Sequence, residues 1–297
     1  MARILFTWEL GQGLGHLVRY QGLIGKLLDN GHRVSYLARD AERVRSVNPQ
    51  AAIDINKIQP EFLPKRRRII QPPIASPATL LFNCGFSDAA KLAARTRIWL
   101  DQIRRIKPDL IVADHSPSAV FANKFLGYPL IISGNSFTVP PAERPFRLFQ
   151  FWRFNHSEES LAVETSVTEV LNGAARSLGG EDGLIKHPSE LYRADQVWLT
   201  TFEELDSYDN RPHGNYVGTF YQPGFGDDFS WPVAPGPKVF VYLRNARGIE
   251  NLAVWARQVG ASLVLVCRDL TAAQRHMFSA AHTNFAFGPV KLDKVAA

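Results

Sequence analysis

The 297-residue chain is poor in sulfur, with two cysteines and two methionines. Cys84 and Cys267 stand far apart and in no Cys-x-x-Cys or Cys/His spacing. Neither a disulfide framework nor a zinc site is expected, and a reducing, cytoplasmic compartment fits. No stretch approaches the roughly 20 apolar residues of a transmembrane helix. Met1-Ala2-Arg3 leads straight into a strand pattern, without the apolar region or cleavage site of a secretory signal. Acidic residues are in the minority, 28 Asp and Glu against 34 Lys and Arg, for a net charge of +6. Such a surplus suits nucleic acid, an anionic membrane face or phosphorylated small molecules. The densest basic run, Lys65-Arg66-Arg67-Arg68, lies in a Pro-rich loop outside any nucleic-acid module, so no nucleic-acid partner is expected.

A 45% hydrophobic content is enough for roughly two domains with ordinary cores. The pattern opens with an apolar strand, Arg3 to Trp8, then a helix over about Gly15 to Asn30, stopped by Gly31. Strands follow at Arg33 to Ala38 and about Ala52 to Ile58, and a helix at Phe86 to Ile106 is closed by Pro108. Leu110 to Ala113 and Leu130 to Ser133 read as buried parallel strands joined by a helix over Ser116 to Leu126. Mostly helical segments follow Phe146, then a strand at Gln196 to Thr200. After a Gly-, Pro- and Asp-rich stretch the alternation restarts at Lys238 and runs through three strands. The chain is therefore expected to be α/β, with domains at 1–220 and 238–297 joined by a linker at 221–237. The second domain, 60 residues long, is expected to be incomplete and marginal without support from the first.

Ligands of doubly wound sheets bind beyond the carboxyl ends of the strands, where His16, Asp114 and Asn135 all fall. The first such loop is Gly11-Gln12-Gly13-Leu14-Gly15-His16. Its glycines let the backbone turn tightly and approach a ligand, and a helix N-terminus behind them favours an anion such as phosphate. His16 stands where a dinucleotide fingerprint has its third glycine, which argues for proton transfer as well as binding. Asp114, at the end of a later strand, is the candidate to orient that imidazole. The bland alternatives are a helix-capping or phosphate-binding histidine, and an aspartate that caps the next helix. His115 is a rival to His16.

Gly-x-Gly-x-Gly-His, then Arg19, Leu27-Leu28-Asp29-Asn30-Gly31-His32-Arg33-Val34 and Pro108-Asp109-Leu110-Ile111-Val112-Ala113-Asp114 resemble the acceptor half of GT-B glycosyltransferases. The similarity is to the nucleotide-sugar-dependent class with UDP-glucuronosyltransferases, macrolide glycosyltransferases and the lipid II-forming N-acetylglucosaminyltransferase. It implies two Rossmann-like doubly wound domains, the second incomplete here. It also implies an inverting, metal-independent transfer, with His16 as base and Asp114 as its partner. The donor, UDP-linked by that resemblance, is a co-substrate, and no cofactor is expected. Its contacts would come from Gly13, Gly15, Arg244 after the first strand of the second domain, and Val290 in Phe287-Gly288-Pro289-Val290. The acidic pairs Glu203-Glu204 and Asp227-Asp228 lack the Asp-x-Asp pattern of metal-dependent sugar transferases, and no metal is assigned.

The chain ends before the His/Gly-rich diphosphate segment of that family, so weak donor binding and poor turnover are expected of it. Asn135, Phe149 and Trp152 are the candidates for acceptor binding. The last two lie in the aromatic, basic stretch from Pro145 to Phe154, which suits an apolar small-molecule or lipid acceptor, or peripheral contact with the inner face of a membrane. The same stretch is read equally well as an ordinary helix burying its aromatics. Competing functions are an NAD(P)-dependent oxidoreductase using Gly11-x-Gly13 with Asp40 or Arg39, a sugar-nucleotide epimerase, and a non-catalytic binding or partner subunit.

Overall fold

The computed structural model describes residues 1–11, 13–48, 53–57, 74–149, 157–181, 184–208, 211–220 and 224–296. Trp152 and the Lys65–Arg68 run lie outside the described residues. The chain divides into two compact units, Met1–Tyr221 and Gln222–Ala297.

In the first unit the strands are β1 (Arg3–Trp8), β2 (Arg33–Ala38), β3 (Ile53–Lys57), β4 (Leu110–Asp114), β5 (Leu130–Gly134) and β6 (Gln196–Leu199). All pair in parallel in the order β3-β2-β1-β4-β5-β6, so the winding reverses between β1 and β4. The helices are α1 (Gly15–Val18), α2 (Gln21–Asp29), α3 (Ala41–Val47), α4 (Pro77–Asn83), α5 (Ala89–Ile106), α6 (Pro117–Asn123) and α7 (Ser157–Ser177). Their starts follow local chemistry. Asp40 caps α3, Ser76 and Thr79 form a capping box ahead of Pro77, and Asp88 accepts from Lys91 N at 3.0 Å. Lys107 ends α5 in the left-handed conformation and Pro108 prevents its continuation.

The expected single helix from Gly15 to Asn30 is two helices. The chain turns at Arg19 and Tyr20, and the Tyr20 side chain is buried with its hydroxyl donating to Ser133 Oγ at 2.9 Å. Helices α3 and α4, of seven residues each, are additions to the helices expected from the sequence pattern. The core lies on the sheet: Leu5, Ile111, Ala113, Leu130 and Ile132 pack against Trp99 and Ile103 of α5 and Val120 of α6. Each large apolar side chain so buried contributes about 1.5 to 3 kcal/mol.

The second unit holds β7 (Lys238–Tyr242), α8 (Ile249–Val259), β8 (Ser262–Val266), α9 (Ala272–His276), β9 (Thr283–Ala286) and α10 (Asp293–Ala296). Its three strands pair in parallel in the order β7-β8-β9. Leu263 and Leu265 of β8 pack against Ile249, Ala253 and Ala256 of α8. Among the described residues no helix is long and apolar enough to cross a membrane.

Candidate functional site

Parallel pairing brings the carboxyl ends of β1, β4 and β5 level, with Trp8 opposite Asp114 and Asp114 opposite Ser133. His16, in the first turn after the β1 loop, thereby reaches Asp114 across 98 positions of sequence. Its Nδ1 is 2.9 Å from Asp114 Oδ1. The Asp114 side chain is 2% exposed and that of His16 13%. A carboxylate at Nδ1 selects the tautomer with its proton there and leaves the Nε2 lone pair to accept another. Asp114 is not the cap of α6; that position is Ser116, which makes no side-chain cap bond.

The His16 ring lies nearly parallel to Trp8, with centroids 6.0 Å apart, and to His115, 5.8 Å away. His115 occupies the left-handed region, with φ of 45°, unusual for a side chain of this size. Among the described residues its buried Nδ1 has no hydrogen-bond partner. Burial, and secondarily the neighbouring His16, push its imidazole down to about 4. His115 is therefore a neutral wall of the site, and His16 holds the carboxylate.

Of the loop glycines, Gly11 is the one that geometry requires. Its φ is 82°, and a Cβ there would fall 2.3 Å from His16 Nε2. Gly13 and Gly15 are exposed and sterically relaxed; a Cβ at Gly15 meets nothing within 4 Å. Arg39 Nη1 donates to Glu9 O and Gly11 O, both at 3.2 Å, which ties the loop to the end of β2. Glu9 is fully buried, against the expectation for an acid beside a glycine loop. Its Oε2 accepts from Ser118 N at 2.8 Å, and its Oε1 is 3.6 Å from Arg95 Nε, itself buried over Phe86.

Arg19 was part of the recognised motif without an assigned role. Its Nε donates to Gly15 O at 2.7 Å and its Nη1 to Thr200 Oγ1 at 2.6 Å, and Nε is 3.7 Å from Asp114 Oδ2. Asn135 follows β5 on the same edge, exposed, with Oδ1 accepting from Thr138 N at 3.0 Å. Phe149 packs on Phe137, with centroids 4.6 Å apart, and on Tyr208 at 6.1 Å.

In the second unit Arg244 is exposed in the loop after β7, and Val290 is 5% exposed, bridged through its backbone to Asp227. Asp228 is held down to about 2 by hydrogen bonds from Lys291 and Lys294. Among the described residues no group of three or more His, Cys, Asp or Glu is placed to hold a metal ion.

No protein-family model and no curated protein sequence matches the chain. Solved structures do. The glycosyltransferase SnogD from Streptomyces nogalater matches 96% of this chain over 72% of its own, at 16% identity and a TM-score of 0.60. The calicheamicin glycosyltransferase CalG4 matches 96% over 70%, at 16% identity and 0.60. Glycosyltransferase VinC, solved in complex with dTDP, matches 98% over 72%, at 14% identity and 0.55. These neighbours share one architecture. The chain has the GT-B fold. Identity this low speaks to fold alone, and within that GT-B frame the small second sheet is an incomplete counterpart of the second domain.

Proposed function

We propose that the chain is built for transfer of a sugar from a nucleotide-sugar donor to an acceptor hydroxyl, with His16 as general base and Asp114 as its orienting partner, and that by itself it binds donor weakly and turns over slowly. The observation that carries this reading is the 2.9 Å contact between His16 Nδ1 and Asp114 Oδ1, at the point where the GT-B sheet reverses its winding. An alcohol becomes an effective nucleophile as its proton leaves, and a neutral imidazole takes that proton near neutral pH. The acceptor oxygen bonds to the anomeric carbon while the bond from that carbon to the diphosphate oxygen breaks. The hydroxyl proton passes to Nε2, and the diphosphate departs with the negative charge. Attack opposite the leaving group inverts the anomeric centre, and Asp114 faces the imidazolium that results.

The neighbours support the substrate classes: VinC is complexed with dTDP, and the spinosyn rhamnosyltransferase SpnG with thymidine diphosphate or with spinosyn aglycone. For this chain the donor is assigned as a uridine or thymidine diphosphate sugar. Within the first unit Gly13 and Gly15 are assigned to its phosphates; within the second, exposed Arg244 and the main chain of Val290, whose side chain is buried, are the candidate donor contacts. Asn135 and Phe149 are assigned to the acceptor.

The test is transfer from radiolabelled UDP- and TDP-sugars to hydroxyl acceptors by wild type, His16→Ala and Asp114→Asn. Loss of about 10² to 10⁴-fold in both variants is expected. Transfer by His16→Ala within a few-fold of wild type would remove the base from the mechanism.

A further inference from the structure

We infer that Arg19, with Thr200, binds an oxyanion carried by the acceptor, so that the acceptor class is a hydroxylated acid with an apolar body. The word acceptor rests on the transferase reading; the anion site itself does not. A guanidinium at this depth ordinarily has an ion-pair partner in contact. Arg19, with a side chain 17% exposed, instead spends its hydrogen bonds on two neutral acceptors, Gly15 O and Thr200 Oγ1. Its Nη2 has no acceptor among the described residues.

The one carboxylate within 4 Å among those residues is Asp114, at 3.7 Å, and its other oxygen is committed to His16. Among the described residues Asp114 Oδ2 has no hydrogen-bond partner. Arg39, at the other end of the loop, likewise binds main-chain carbonyls, while Glu9 is matched by Arg95. Arg19 and Arg39 carry two positive charges against the single negative charge of Asp114. Proton transfer to His16 then gives Asp114 a second cation to balance.

The surroundings state what kind of anion fits. Thr200 accepts from Arg19 and keeps its own proton, and Thr200 N donates to Gly134 O, which sets that hydroxyl at the end of β5. Asn135, the next residue after Gly134, keeps its side-chain Nδ2 protons. A carboxylate or phosphate at Nη2 therefore meets a charged donor and the Thr200 hydroxyl, with Asp114 Oδ2 on the far side of the guanidinium, 3.7 Å from Nε. Beyond Asn135 stands Phe137, 41% exposed and stacked on Phe149, an apolar surface for the body of the same molecule.

The test is calorimetric binding of 4-hydroxybenzoate and of its methyl ester to the full chain, without donor. The two share ring and hydroxyl and differ in the oxyanion. Wild type is expected to bind the acid at least tenfold more tightly than the ester, Arg19→Met to bind them within twofold of each other, and Arg19→Lys to fall between. Arg19→Gln replaces Arg19→Met if the latter does not fold. Equal affinities in wild type, no binding of either, or a preference that survives loss of Arg19 overturns the inference. UDP binding is measured in parallel: if Arg19→Met weakens UDP tenfold, the oxyanion belongs to the donor and the acceptor assignment is wrong. Failed sugar transfer with the acid preference intact would sink the transferase reading and leave the anion site standing.

Discussion

Replacing Gly11 by alanine tests how the candidate base is held. The added Cβ would sit 2.3 Å from His16 Nε2, where ordinary contact begins at 3.4 Å, so the ring must withdraw by about 1 Å. The push comes at Nε2, across the ring from the Nδ1 that already sits 2.9 Å from Asp114 Oδ1, so the ring cannot retreat straight and must turn out of its present hydrogen-bond geometry. A displacement of that size at a reacting group costs about 10²-fold in rate. The left-handed φ of 82° adds about 1 to 2 kcal/mol of backbone strain. Nuclear magnetic resonance of the histidine rings reads the first effect directly, because a proton shared with Asp114 exchanges slowly. Gly11→Ala is expected to lose that resonance, to slow transfer about 10²-fold, and to unfold at lower urea. Gly15→Ala and Gly13→Ala serve as controls; their Cβ atoms meet nothing within 4 Å and Gly15 N at 3.8 Å. Both should leave stability within about 0.5 kcal/mol and the resonance in place. If Gly11→Ala keeps the resonance and the rate, the ring is not positioned by this contact.

Three further outcomes are expected. Glu9→Ala leaves Arg95 a buried cation without its partner and Ser118 N without an acceptor, a loss of about 3 to 5 kcal/mol by urea denaturation; an unchanged midpoint would show that the pair is solvated. Because the folded state holds His115 down to about 4, against an ordinary value near 6.5, the unfolded chain takes up the proton first. Stability is thus full above pH 6.5 and declines toward pH 4, and His115→Asn, which tolerates the left-handed φ, should reduce that decline by up to about 3 kcal/mol in urea titrations at pH 4.5 and 7; equal declines refute it. Gly15→Ala, neutral for folding, should raise the KM for the donor if phosphates close on the loop, and an unaltered KM would separate Gly15 from donor binding.

The sheet was legible because its strands are short continuous apolar runs bounded by turn residues, as at Leu110 to Ala113, and a doubly wound order follows from their alternation with helices. The pairing of His16 with Asp114 was legible for the same reason, since parallel strands open their carboxyl ends on one edge. What periodicity cannot register is a change of direction inside a helical stripe. Leu17 and Ile24 read as one face, yet the turn at Arg19 and Tyr20 is made by a tyrosine anchored on Ser133. Nor does polarity register burial: Glu9 lies in the core because Arg95 arrives from a helix some eighty residues away. Arg19 stands in the motif of the resemblance without a role, because its partner Thr200 lies 181 positions on.

The alignment of Trp8 with Asp114 in adjacent parallel strands makes the His16–Asp114 contact a property of main-chain register. A slip of one residue between β1 and β4 would carry Asp114 about 3.3 Å along its strand and turn it to the opposite face. The pair can therefore form only after β4 has docked on β1, late in any folding route, because nearly a hundred residues must first close into a loop. Activity and the integrity of the sheet should disappear together in denaturant, with no window in which the fold persists and the dyad does not.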